Sequence, residues 1–254
     1  MANQLGAGTS GGSGSGGSGS GSAEVILAGV REARKALFVM VGFIVVIWAL
    51  QIANWAGHYG LDTSYGIIPR NVLRLPDIFI APFLHFSWSH IEANSGPLFV
   101  FGFLAAYRGV WRFVSVTVLI AITSGMAIWF FASTNTLTVG ASGLIFGYFG
   151  YVVARGLIDR NLIDALVGAV MALSFAYLVT VAVPGTPGVS WIGHLGGLVG
   201  GVAAGWLFRS RRGKVPAKPE KKPDGGAGGS TRPLPVSADN PRADLHAELR
   251  KLGL

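Results

Sequence analysis

Residues 138 to 154 read TVGASGLIFGYFGYVVA. The run carries no charged side chain, and Gly143 and Gly147 stand four residues apart. Its length and apolar character approach the roughly 20 residues that cross a bilayer as a helix. Small residues four apart let two such helices approach closely. Near its head stands one serine hydroxyl, Ser142. Either Ser142 is a small packing residue or it is a nucleophile, and a nucleophile needs a base and an oxyanion site from elsewhere in the chain.

Composition places the chain in a membrane. Hydrophobic residues make up 51% and charged residues only 13%, with a mean hydropathy of +0.52. A soluble domain needs a far more charged surface. The net charge of +8 does not point to nucleic acid, because the cations cluster beside apolar spans and in the tail. There they set membrane orientation. The chain has no cysteine, which excludes a disulfide framework and a thiolate zinc site. Its N-terminus is rich in glycine and serine rather than basic then apolar, so no cleavable signal is expected.

The sequence divides into four segments. Residues 1–22 (GTSGGSGSGGSGSGS within them) read as a flexible tail. Residues 23–36 read as a cytoplasmic amphipathic segment that contains Arg31, Arg34 and Lys35. Residues 37–208 hold six apolar spans: Leu37–Trp55, Phe83–Ala106, Phe113–Phe131, Thr138–Ala154, Leu162–Val183 and Val189–Phe208. Residues 209–254 form a basic, proline-rich tail that reads as disordered, with a possible short helix after Asn240-Pro241. The spans lack the alternation of a membrane barrel, so helices are expected. The expected fold is therefore an all-α integral membrane protein, a six-helix bundle with disordered termini.

Basic residues orient it. Arg31, Arg34 and Lys35, then Arg108 and Arg112, then Arg155 and Arg160, then Arg209, Arg211, Arg212 and Lys214 all fall on one side. The opposite loops hold only Arg70 and Arg74. Both termini are expected in the cytoplasm of a plasma-membrane protein.

This topology brings four reactive groups to a similar depth. Ser142, His194 (in SWIGHLGG), His90 and Asn94 (in HFSWSHIEAN) all lie near the outer ends of spans 4, 6 and 2. Polar groups within spans are costly and usually functional. Singly, a histidine fastens neighbouring helices and a serine packs; the combination is what points to chemistry. His90 and Asn94, four apart, share one helix face. Glu92 points elsewhere, and Asp62 and Asp77 in the first loop stay open as partners for a base. His85 reads as structural, and His58 as inert. No metal site is expected, since HxxxN offers one good zinc ligand, and no cofactor is implied.

These motifs, GASGLIFG, GHLGG and HxxxN on the six spans between Leu37 and Phe208, resemble the rhomboid intramembrane serine proteases of the bacterial six-helix type. The text GIIPRNV, APFLHFSWSH and NSGPL looks like actinobacterial members. The resemblance implies a dyad in which Ser142 attacks the scissile carbonyl and His194 takes and returns its proton. It places the oxyanion site on the Ser142 N–H with the His90 and Asn94 side chains. Phe146, Gly140, Gly143 and Gly197 take supporting roles, Phe146 by stacking on the imidazole. The implied partners are transmembrane protein substrates within a lipid bilayer; oligomeric state is not legible.

The glycines Gly197, Gly201 and Gly205 form a second small-residue series on span 6, so close packing and catalysis are joint readings. The stretch STNTLT (residues 133 to 138), with Thr186 and Ser190, is suited to line a wet outer mouth. The alternative function is a catalytically silent relative that binds or escorts membrane clients. A transporter is disfavoured by the lack of paired repeats or charges within spans.

Overall fold

A computed structural model describes residues 17–158, 166, 168–170, 173 and 188–209. Among the described residues the chain is mostly helical: α1 Gly17–Ala56, α2 Gly60–Tyr65, α3 Trp88–Ala106, α4 Val110–Phe131, α5 Ser142–Ile158 and α6 Trp191–Leu207. Short 3-10 turns occupy Val72–Phe79 and Ala81–Phe83. Two helices, α1 from Ser22 onward and α4, are long and apolar enough to cross a membrane; α5 and α6 are shorter apolar helices. Of the expected fifth span, residues 166, 168–170 and 173 are described, and all are helical. Thr186 and the tail beyond Arg209 lie outside the described residues.

Packing follows the small-residue spacing. The most extensive contact joins α5 to α6, and α4 packs on α6 as well. Met40 and Ile47 of α1, Leu98 and Phe101 of α3, Val116 and Ile120 of α4, and Leu144 and Tyr148 of α5 share one core. The outer faces stay apolar, with Val45, Ile122, Phe130 and Val199 exposed. That surface suits lipid rather than water.

Several expected boundaries are corrected. The 23–36 segment is not separate, because α1 runs unbroken through it and reaches back to Gly17, inside the Gly/Ser tail. Extending an existing helix avoids the nucleation cost, at about 1 kcal/mol for each glycine. The second span begins at Trp88 rather than Phe83, since the Ser87 side chain caps the helix by accepting from the His90 N–H. Span 4 begins at Ser142 rather than Thr138. Thr138 instead pairs with Ile67 in an antiparallel bridge, and Gly140 turns the chain at φ 123°, a conformation only glycine adopts readily.

The basic residues also differ in role. Arg155, read from sequence as a loop cation, is fully buried, and its Nη1 donates to the Phe208 carbonyl at 2.7 Å. It ties the C-terminal end of α5 to that of α6, satisfying a terminal carbonyl. Arg70 and Arg74, the two cations of the first loop, are structural. Arg70 donates to the carbonyls of Phe130 and Ala132. Arg74 pairs with Asp77 and donates to the carbonyls of Thr63 and Gly66. The first loop is therefore a folded cap, not an open linker.

Asp62 should give this cap a pH dependence. Its side chain is buried beside Asn54 of α1. Burial raises its pKa above the ordinary 3.8, against a smaller lowering by the Asn54 amide. Stability linked to a raised carboxyl pKa is fully present below the ordinary value and lost as pH rises through the folded one. Asp62→Asn, which keeps a neutral group there, should unfold at a higher temperature than the parent at neutral pH. That gap should close on acidification, as read by thermal unfolding in detergent across acid to neutral pH. A gap unchanged with pH would count against a titrating Asp62.

Candidate active site

Ser142 is the first residue of α5. A helix leaves its first N–H groups without intrahelical acceptors, so the Ser142 and Gly143 N–H groups face outward from a positive helix end. His194 sits in the first turn of α6, whose Ser190 cap accepts from Gly193 N. The two meet: His194 Nε2 lies 2.8 Å from Ser142 Oγ. This is the reach required of a nucleophile and its base. Phe146, one turn beyond Ser142, stacks on the imidazole with ring centroids 4.3 Å apart and planes 14° from parallel. The imidazole is buried and held flat against that ring.

Contact between the two helices depends on missing side chains. A Cβ at Gly197 would strike the Gly143 carbonyl oxygen, and one at Gly201 the Gly147 carbonyl oxygen. A Cβ at Gly150 would meet the Leu198 carbonyl oxygen at 2.8 Å. Glycine at these points lets backbone meet backbone.

His90 and Asn94 face the same place from α3. A Cβ on Gly140 would lie 2.8 Å from His90 Nε2 and 3.8 Å from Asn94 Nδ2. Both side chains therefore border the turn that delivers Ser142. Asn94 Nδ2 is buried and has no hydrogen-bond partner among the described residues. An unmet buried donor costs about 1–3 kcal/mol, and an acceptor reaching this group would offset that cost. Behind it, the buried His85 ring meets His90 edge-on at 5.0 Å, so it backs the His90 ring rather than facing the pair. His58 is exposed.

A cavity of about 510 Å³ opens on these groups, lined by Ser142, His194, His90 and Asn94. Ser133, Thr136, Thr138 and Ser190 add polar atoms to its wall. Glu92 is exposed, Asp77 is engaged by Arg74, and Asp62 is buried beside Asn54. None of these carboxylates lines the cavity. Among the described residues no cluster of potential metal ligands occurs.

One residue of the site escaped sequence reading. Ser124 of α4 donates from Oγ to the Gly193 carbonyl at 2.8 Å. It occupies the space that a side chain on Gly143 would need. Its only signal was a Ser-Gly pair inside an apolar span, which is also how ordinary packing residues look.

Comparison with known proteins identifies the family. A sequence model of the rhomboid domain matches residues 71–211, so this chain belongs to the rhomboid family. It is 34% identical over 183 residues to an uncharacterized protein of Mycobacterium tuberculosis, covering 69% of this chain and 76% of that one. A Mycobacterium leprae protein, also uncharacterized, is 31% identical over 207 residues, covering 76% and 82% respectively. The Arabidopsis thaliana RHOMBOID-like protein 1 is 26% identical over 151 residues, covering 59% of this chain and 38% of its own.

Proposed function

We propose that this chain is an intramembrane serine endopeptidase that cleaves transmembrane segments of other membrane proteins. The observation that carries the reading is the 2.8 Å contact between Ser142 Oγ and His194 Nε2 at the wall of a mostly apolar cavity that a few hydroxyl residues border. In this reading the chain forms a six-span bundle in the plasma membrane. Both termini lie in the cytoplasm and the cavity opens outward.

Ser142 Oγ attacks the scissile carbonyl carbon as His194 Nε2 takes its proton. The tetrahedral oxyanion then accepts from the Ser142 N–H, His90 Nε2–H and Asn94 Nδ2–H. His194 returns the proton to the leaving amine, and water entering past Ser133 and Thr136 hydrolyses the acyl-enzyme by the same route in reverse. Phe146 fixes the imidazole plane throughout.

The test is covalent. A fluorophosphonate or isocoumarin probe should label the purified protein, and Ser142→Ala should abolish the label. An unlabelled parent would favour a non-catalytic client binder. The oxyanion assignment is tested separately. His90→Ala and Asn94→Ala should each lower kcat about 10²-fold, as for other single oxyanion donors, and unchanged kcat in both would make the pair structural. Because helical peptide bonds are already paired, the substrate must unwind locally. Cleavage should therefore fall between small residues in the outer half of the substrate span. Sites mapped by mass spectrometry to the cytoplasmic half would contradict both depth and topology.

A further inference from the structure

We propose that Ser124 is a positioning residue for the Ser142–His194 pair, acting through the peptide units beside both; this rests on the proteolytic reading above. Ser124 belongs to α4, which carries neither member of the pair. Its Oγ–H donates to the Gly193 carbonyl at 2.8 Å in a buried setting. The Gly193 N–H is held in turn by Ser190 Oγ at 3.3 Å. The residue immediately before His194 is thus gripped at both ends by hydroxyls from two different segments. The same Ser124 Oγ fills the space left by the missing side chain of Gly143, the residue immediately after Ser142. One hydroxyl abuts the neighbour of the nucleophile and bonds the neighbour of the base.

Elsewhere along α4 the support for this placement among the described residues is close packing. A Cβ on Gly196 would meet the Thr123 carbonyl oxygen at 2.8 Å, and one on Gly193 would meet Ile128 Cδ1 at 2.8 Å. The α4 helix lies across the seam of α5 and α6, and apolar contact there resists compression but leaves sliding along the seam weakly opposed. A directed hydrogen bond resists sliding, and in a low-dielectric interior water does not compete for it. Arg155 still ties the C-terminal ends of α5 and α6, but without the Ser124 hydroxyl the first turn of α6 loses its directed hold on α4, and the fraction of molecules with His194 in reach of Ser142 falls. Ser124 borders the same cavity, but its hydroxyl bonds the Gly193 carbonyl rather than either member of the pair, so the loss should fall mainly on acylation and kcat.

The experiment compares Ser124→Ala, Ser124→Thr and Ser124→Val in the full chain, purified in detergent. The readouts are the rate constant for fluorophosphonate acylation of Ser142, and kcat and KM on a model transmembrane substrate. Threonine and valine share a shape and differ in the hydroxyl, so their comparison separates the hydrogen bond from volume. Ser124→Ala and Ser124→Val should lower acylation and kcat about 10- to 100-fold, the range expected for sub-ångström to ångström misplacement. KM should stay within about twofold, and Ser124→Thr should exceed Ser124→Val by about fivefold or more. Equal rates for threonine and valine, at matched folded fraction, overturn the proposal. So does alanine acylation close to the parent's, which leaves the proteolytic reading intact. A parent that never labels overturns that reading, and the positioning role with it.

Discussion

Ser142→Ala and His194→Ala should each bring cleavage of a model transmembrane substrate down to background, while the protein remains folded and membrane-inserted. In a soluble serine protease, loss of the nucleophile or the base alone removes about 10⁶ in kcat. The same scale is expected here because the two groups act as one unit: Ser142 Oγ is a poor nucleophile until His194 Nε2, 2.8 Å away, takes its proton. The double variant should therefore be no worse than either single one. His194→Ala should in addition lose fluorophosphonate labelling while keeping the Ser142 hydroxyl. Cleavage is measured at matched expression in membranes, with thermal unfolding as the folding control. Near-normal cleavage by the serine variant would remove the dyad mechanism.

Gly197→Val should lose about 10³-fold or more in activity although every reacting group remains. The site of conflict is defined: a Cβ at 197 would overlap the carbonyl oxygen of Gly143, the residue next to Ser142. Backbone cannot rotate away as a long side chain can, so α6 must lift from α5 and carry His194 with it. A displacement of about 1 Å already costs on the order of 10²-fold, and the two γ-carbons of valine add to it. Gly205→Val is the comparison. A Cβ there meets Ala154 Cβ at 2.8 Å, a methyl at the far end of the seam, so activity should fall less. Loss of stability alone would affect both positions, whereas coupling to the site predicts a graded loss that follows distance from Ser142. Equal loss at 197 and 205, or normal cleavage by Gly197→Val, would break the link between the helix contact and the chemistry.

The helical, membrane-bound character of the chain was legible because it rests on composition and local pattern. Apolar runs, basic flanks and glycine spacing need no knowledge of the neighbours. That Ser142, His194, His90 and Asn94 come together at one cavity was legible for a related reason: polar groups are conspicuous where nearly everything else is apolar. Boundaries were less so. Hydropathy runs on through Thr138 and Gly140, and only the bridge from Thr138 to Ile67 shows that the helix waits until Ser142.

Tertiary structure decided the rest, because it depends on atoms far apart in the chain. Arg155 looked like a topogenic loop charge until the Phe208 carbonyl came to meet it across 53 residues. Arg70 and Arg74 looked like loop charges and are struts of a folded first loop. Ser124 was one hydroxyl in an apolar span, and nothing in the residues around it names Gly193 as its acceptor. A sequence records which groups are polar. Whether a polar group faces lipid, a helix end or the neighbour of a nucleophile depends on which backbone is brought within about 3 Å, and only the packed helices determine that.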